Sequence, residues 1–315
     1  MTLKAGDTVI IVSSSGCIEK ERLVNAQDVL SSWGLEVLMG EHTLDEYGIF
    51  AGNDNARLED VQWAINHPQA KAIIFSRGGY GAARIIDALD FSALERYPKL
   101  LVGFSDITVF HSRLSQLEQF GQFGIASLHS AMPQNYPVCS NGNLNDISLL
   151  SLYKALFEGR VDFEWNSADS ENGTGSFFNT GKVIAQVVGG NLSLLYSLRG
   201  TPADIDFKGK ILLIEDLNEM DYHIDRMLQN LKQGGCFEQI AGLIVGQFTD
   251  IKSGVRKYPL SLAEMIQEYT STHNIPVAMN APIGHIPSQQ AIFMNKETTF
   301  EVLPDGISII KQSCG

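Results

Sequence analysis

Leu100-Leu101-Val102-Gly103-Phe104-Ser105-Asp106-Ile107-Thr108 runs a short apolar strand through a glycine and a serine directly into a helical pattern. Strand followed at once by helix is the repeating unit of a parallel α/β sheet. The same junction suits a hydrolase nucleophile. A serine side chain projects from a tight strand-to-helix turn, and the next backbone N–H lies at a helix N-terminus, where positive dipole density can meet an oxyanion. Asp106 and Thr108 replace the second glycine of a G-x-S-x-G elbow. On local evidence alone, Ser105 or Asp106 fits the role of helix cap equally well.

The pattern repeats on both sides of this stretch. Val9–Val12, Leu35–Met39, Lys71–Ser76, Leu100–Phe104 and Phe123–Ala126 read as strands. Glu19–Trp33, Asn53–His67, Ala82–Leu89 and Ile107–Leu117 read as the helices between them. Continuous apolar runs separated by helices predict a parallel sheet covered on both faces. A helix over Leu144–Phe157 precedes a polar, glycine- and serine-rich stretch containing Glu171-Asn172-Gly173-Thr174-Gly175. That texture predicts a linker over 161–182, between a nucleophile-bearing domain at 1–160 and a second domain at 183–315. In the second domain Val183–Val188, Ile211–Glu215, Leu243–Phe248, Pro276–Asn280, Ala291–Met294, Thr298–Leu303 and Ile307–Lys311 read as strands. Helices are expected near Leu192–Leu198 and Tyr222–Lys232, so this part is mixed and richer in β structure.

Composition narrows the function classes. The 315 residues contain 44% hydrophobic and 19% charged residues, enough for a substantial core and no sign of disorder. A formal net charge of −13 argues against a nucleic-acid partner. Cys17, Cys139, Cys236 and Cys314 are scattered, giving neither a C-x-x-C metal pair nor a disulfide framework. Thr8-Val9-Ile10-Ile11-Val12 is too short for a signal-peptide core, and no apolar run approaches a membrane span of about 20 residues. A cytoplasmic protein that needs no metal or cofactor is the expectation.

Three further constellations bear on chemistry. Ser76-Arg77-Gly78-Gly79-Tyr80-Gly81 follows the third strand, and its glycines allow close backbone approach and free N–H groups at a helix start. A dinucleotide fingerprint fits poorly, and a plain tight turn is the alternative. In a parallel sheet this loop shares the carboxyl edge with Ser105, where ligands bind. Of seven histidines, His285 stands in the rigid, non-helical Pro282-Ile283-Gly284-His285-Ile286-Pro287. His129 is the second choice for a base, and His111, six residues past Ser105, is expected to point away. Ile211–Ile214 runs straight into Glu215 and Asp216. Glu215 is the candidate to orient a base, and Asp216 is expected to be the solvated member of the pair.

With these pieces in order, the chain resembles the LD-carboxypeptidases, serine peptidase family S66, which also includes microcin C immunity peptidases. The resemblance spans nearly the whole length. It rests on Ser76–Gly81, Gly103–Thr108, Gly189-Gly190-Asn191-Leu192-Ser193, Ile214–Asp216 and Pro282–His285. It implies a flavodoxin- or Rossmann-like N-terminal domain, a smaller β-rich C-terminal domain, and an active site in the groove between them. It implies a Ser105–Glu215–His285 triad, with an oxyanion hole from the N–H groups of Asp106 and Gly79. The activity implied is that of a muramoyltetrapeptide carboxypeptidase, removing the terminal D-alanine of a peptidoglycan peptide in a commonly homodimeric enzyme. An immunity-type peptidase cleaving a peptidyl-nucleotide, and a non-catalytic muropeptide-binding protein, are the alternatives. The substrate's carboxylate needs a cation or an N–H cluster. On chemistry alone Arg77 is chosen, with Gly78 beside it, and a structural arginine is the other reading. Two segments depart from the family pattern. Ser13-Ser14-Ser15-Gly16-Cys17 stands in place of an A-P-S-G-type turn, and His129-Ser130-Ala131-Met132 in place of H-G-P-M.

Overall fold

The computed structural model describes residues 2–119, 127–138, 144–169 and 175–313. The chain begins with β1 (Thr8–Val12), α1 (Lys20–Ser32), β2 (Glu36–Met39), α2 (Asp54–Asn66), β3 (Ala70–Phe75), α3 (Ala82–Ile85), α4 (Ala93–Arg96), β4 (Leu100–Val102), α5 (Thr108–Gln119) and β5 (Ser127–His129). After α6 (Ile147–Tyr153) come β6 (Arg160–Asn166), β7 (Phe178–Asn179), β8 (Gly181–Asn191), α7 (Leu192–Ser197), β9 (Ile211–Leu217), α8 (Asp221–Gln233) and β10 (Gly242–Thr249). The remainder is α9 (Leu262–Thr270), β11 (Val277–Ala278), β12 (Ile292–Met294), β13 (Glu297–Val302) and β14 (Ile307–Ser313).

Two sheets organise these elements. The first has the order β12-β5-β4-β3-β1-β2. Its strands β1 to β5 are parallel and β12 is antiparallel to β5. The five residues of β1 are all buried, as a strand covered on both faces requires. Val9 and Ile11 pack with Leu23, Val29 and Leu30 of α1, while Ile10 and Val12 pack with Val61 and Ile65 of α2 and Phe110 of α5. Each such side chain contributes roughly 1.5–3 kcal/mol on burial. The chain order reverses between β1 and β3, which opens a crevice at their carboxyl ends. The turn after β1, the glycine loop after β3 and Ser105 after β4 all rise from that edge.

The second sheet has the order β6-β14-β13-β8-β9-β10-β11-β7. Strands β8 to β11 are parallel, and the flanking strands are antiparallel. It is not insulated from the first sheet. Strand β12 pairs with β5, with Ile292 opposite His129, and one apolar cluster runs from Val9 and Ile11 to Phe300 and Ile310.

The structure corrects several expectations. The stretch 161–182 is not a bare linker, because most of β6, all of β7 and the start of β8 fall within it, and all three belong to the second sheet. Val161, Phe163 and Trp165 alternate along β6, and Val161 is buried while the other two are half-buried. Helix α9 was not anticipated, although Ser261 and Glu264 form a reciprocal capping box at its start. The strand expected at Phe123–Ala126, most of the Glu171–Gly175 breaker, Cys139 and Cys314 lie outside the described residues.

Candidate active site

Ser105 holds φ at +62°, in the left-handed region that a non-glycine residue enters only at a cost of about 1–2 kcal/mol. It starts a single 3-10 turn, Ser105–Ile107, that leads into α5. The turn is pinned from below. His111 of α5 donates Nε2–H to the Gly103 carbonyl at 2.9 Å, and its Nδ1 meets Ser127 Oγ at 2.7 Å. Complete burial, with the neighbouring His129 adding to it, drives the pKa of His111 down to about 3. His111 is therefore a neutral structural strut, turned inward under the elbow.

Asp106 points its carboxylate away from Ser105. Its Oδ2 accepts from Ser15 Oγ at 2.6 Å and from the Ala82 N–H at 2.8 Å. One side chain thus ties the elbow to the turn after β1 and to the first residue of α3. Burial raises the Asp106 pKa against these hydrogen bonds. The fully buried Arg57 completes the clamp, with Nη1 donating to the Ser14 carbonyl at 2.6 Å and the Gly81 carbonyl at 3.0 Å.

Held in this way, the glycine loop lies directly over the serine. A Cβ placed on Gly78 would stand 2.9 Å from Ser105 Cβ, 3.0 Å from Ser105 Oγ and 3.4 Å from the Asp106 nitrogen. Gly78, Ser105 and the Asp106 N–H therefore border one small space. Gly79 follows at φ +103°, open to solvent. Beside it Arg77 donates Nη1 to the Cys17 carbonyl at 2.9 Å, and its Nε lies against Gly16. The structure gives Arg77 a role in bracing the turn after β1.

Glu215 and His285 come together from the second sheet. Glu215 ends the buried core of β9 and is itself fully buried. Its Oε2 bonds His285 Nδ1 at 2.8 Å. Gly284, at φ +118°, allows this approach, because a Cβ there would stand 2.9 Å from Glu215 Oε2. Burial alone would raise the Glu215 pKa, but the hydrogen bond from His285 and the proximity of His129 and His285 outweigh it and hold the group at about 2. Burial lowers the His285 pKa, and the Glu215 hydrogen bond and charge more than reverse that, leaving it raised. The His285 ring packs on Phe104, the residue before Ser105, with centroids 4.7 Å apart. That contact sets the histidine beside the elbow.

The sequence reading missed the joint between the two sheets. The Asn191 N–H donates to Thr108 Oγ1 at 3.0 Å, and Asn191 Nδ2 donates to Asp216 Oδ1 at 2.9 Å. Asp216 Oδ2 accepts from the Ser193 N–H at 2.9 Å. Asp216 is buried rather than solvated, and burial together with the Glu215 charge raises its pKa to about 7. Gly190, at φ +130°, lets the end of β8 reach α5, since a Cβ there would meet Thr108 Oγ1 at 2.5 Å. The asparagine after two glycines in Gly189-Gly190-Asn191 was the available signal. Among the described residues no group of three or more His, Cys, Asp or Glu side chains is arranged to hold a metal ion.

Sequence profiles of the LD-carboxypeptidase N-terminal and C-terminal domains match residues 9–129 and 185–300. A probable murein peptide carboxypeptidase of Bacillus subtilis (strain 168) is 32% identical over 314 residues, covering 97% of this chain and 94% of that protein. The chain belongs to the LD-carboxypeptidase family. Among solved structures, the muramoyltetrapeptide carboxypeptidase of Oxalobacter formigenes superposes with a TM-score of 0.82 at 27% identity, covering 98% of this chain and 99% of that one. The wild-type apo form of the microcin C7 self-immunity protein MccF gives a TM-score of 0.83 at 21% identity, over 100% of this chain and 98% of its own. At that identity the likeness is one of fold. The α/β architecture expected for an LD-carboxypeptidase is the one observed: a mainly parallel first sheet and a second, β-rich unit that also carries Glu215 and His285. No helix among the described residues is long and apolar enough to cross a membrane.

Proposed function

We propose that this protein is a serine carboxypeptidase that hydrolyses the L,D-peptide bond before the terminal D-alanine of peptidoglycan tetrapeptides, in cytoplasmic muropeptide recycling. The observation that carries the reading is the bond between buried Glu215 and the half-buried His285, which packs through Phe104 against a serine in a left-handed elbow. In this reading His285 Nε2 takes the Ser105 hydroxyl proton as Oγ attacks the carbonyl carbon. Glu215 holds Nδ1–H and stabilises the imidazolium. The carbonyl oxygen becomes an oxyanion in the space bordered by Gly78, where the N–H groups of Asp106 and Gly79 serve as donors. Loss of one such donor costs roughly 10²–10³ in rate in comparable sites. The C–N bond then breaks, His285 returns its proton to the departing D-alanine amine, and water hydrolyses the acyl-enzyme by the same route.

The names of the relatives support the substrate class, since both the Bacillus subtilis protein and the Oxalobacter formigenes enzyme are described as carboxypeptidases of murein peptides. Arg77 spends Nη1 on the Cys17 carbonyl and keeps its other N–H groups, so the substrate carboxylate is assigned to Arg77 together with the backbone N–H groups of the glycine loop. The test offers the purified protein tetrapeptides with meso-diaminopimelate or lysine at the third position, and separately an aminoacyl-nucleotide. Release of D-alanine from a tetrapeptide supports the reading. Cleavage of the aminoacyl-nucleotide alone would replace it with the immunity-type activity, and tight binding of muropeptide without turnover would replace it with a binding function.

A further inference from the structure

His129 sits at the end of β5 in the first sheet, fully buried, yet neither of its ring nitrogens has a hydrogen-bond partner among the described residues. Glu215 Oε1, reaching in from the second sheet, is buried and equally without one. The two face each other, His129 Nε2 lying 3.9 Å from Glu215 Oε1. An unmatched buried donor or acceptor costs about 1–3 kcal/mol, so two unmatched groups turned toward each other require an account.

The surroundings restrict what His129 can do. On the α5 side stands His111, whose ring centroid is 6.2 Å away. Both nitrogens of His111 are spent on Gly103 and Ser127, so it neither accepts from His129 nor donates to it. Phe104 packs on His129 at 5.6 Å and on His285 at 4.7 Å, and is the ring that both imidazoles share. The acid of the neighbouring position, Asp216, spends its oxygens on Asn191, Ser193 and Leu217. Among the described residues, Glu215 is the carboxylate left to His129.

We infer that His129 is a positioning residue for the proposed reaction: its Nε2–H holds Glu215 Oε1, so that Oε2 stays on Nδ1 of His285 and leaves Nε2 of His285 free to face Ser105. The carboxylate is then gripped from both sheets, by one imidazole at the end of β5 and another on the loop after β11. A carboxylate shared between two donors is a weaker acceptor toward each of them. Removing the His129 N–H therefore concentrates the charge on the His285 side and raises the His285 pKa further.

This inference rests on the proposed function, and the experiment separates their failures. His129→Gln keeps a donor of similar reach, whereas His129→Met keeps the volume without the donor. Both are compared with the parent for thermal unfolding, for kcat and KM of D-alanine release across pH, and for the imidazole NMR titration of His285 in a Ser105→Ala background. The expected result for His129→Met is a fall in kcat of up to about 10²-fold with KM little changed. The acid limb of its profile and the His285 titration should both move to higher pH. His129→Gln should restore most of the rate and return both midpoints toward the parent. A folded His129→Met protein whose His285 titrates as in the parent overturns the inference, as does His129→Gln behaving no better than His129→Met. Failure of the parent to release D-alanine defeats the proposed function instead, and the NMR titration still decides the role of His129.

Discussion

Gly78→Ala is the substitution that probes the elbow most cleanly. The φ of Gly78 lies outside the left-handed region, so alanine is compatible with its backbone. What the new methyl group meets is the Ser105 side chain. At 2.9 Å from Ser105 Cβ and 3.0 Å from Oγ it stands well inside the 3.5–4.0 Å at which carbon atoms normally pack, a deficit of about half an ångström or more. The loop cannot retreat freely. Its Gly78 carbonyl accepts from the Gly16 N–H at 3.1 Å, and Asp106 and Arg57 hold its far end. The strain is relieved by displacing Ser105 or by filling the space in front of the Asp106 N–H. Overpacking of this kind costs about 1–3 kcal/mol of stability. The loss in kcat/KM should be about 10²-fold or more, because attack geometry and oxyanion contact suffer together. Gly79→Ala is the control. Its Cβ would meet nothing closer than Gly16 at 3.7 Å, but its φ of +103° suits only glycine. It should lose about 2 kcal/mol of stability and less activity than Gly78→Ala. Urea unfolding and D-alanine release measure both. A Gly78→Ala protein with parental kcat/KM would refute the claim that this loop closes on the serine.

Three other outcomes follow from the same geometry. Ser105→Gly, freed of the left-handed strain, should be more stable than Ser105→Ala by about 1 kcal/mol, with both inactive, as differential scanning calorimetry and turnover assays can show. Glu215 titrates near 2 when folded against an ordinary 4.5, so its stabilising contribution is present above about pH 4.5 and lost as pH falls toward 2. The stability gap between parent and Glu215→Gln should accordingly narrow on acidification in a urea series. Asp216 has the opposite sign. With its pKa raised from 3.8 to about 7, it favours the fold when protonated, and that contribution is lost as pH rises through about 7. Asp216→Asn should therefore flatten the decline of stability between pH 4 and 8, while losing an acceptor for Asn191 or Ser193.

Local sequence carried the first sheet well. Buried runs such as Val9–Val12 and Ile73–Phe75, each followed by a helix, can be read from period and punctuation alone. It also carried the candidate site as far as single residues go, because Ser105, Glu215 and His285 each stand where a strand ends or a rigid turn begins. What failed to show was anything decided by contact between distant segments. Asp216 looked solvated until β8 brought Asn191 and the Ser193 N–H against it. The bond from Arg77 Nη1 to the Cys17 carbonyl, in the turn after β1, was equally invisible. The return of β12 to the first sheet pairs residues more than 160 positions apart, Ile292 with His129, and no local pattern announces that. Two misses were legible: Val161, Phe163 and Trp165 alternate through β6, and Ser261-Leu262-Ala263-Glu264 is a capping-box signature.

In the proposed reaction Ser105 becomes acylated. Intact-mass spectrometry of the protein quenched during turnover of a muropeptide tetrapeptide tests it most directly. The expected result is a transient mass increase equal to the tripeptide acyl group, mapped to the peptide containing Ser105 and absent from Ser105→Ala, with stoichiometric D-alanine in solution. D-Alanine release that persists in Ser105→Ala, or an acyl group mapped to any other residue, would contradict it.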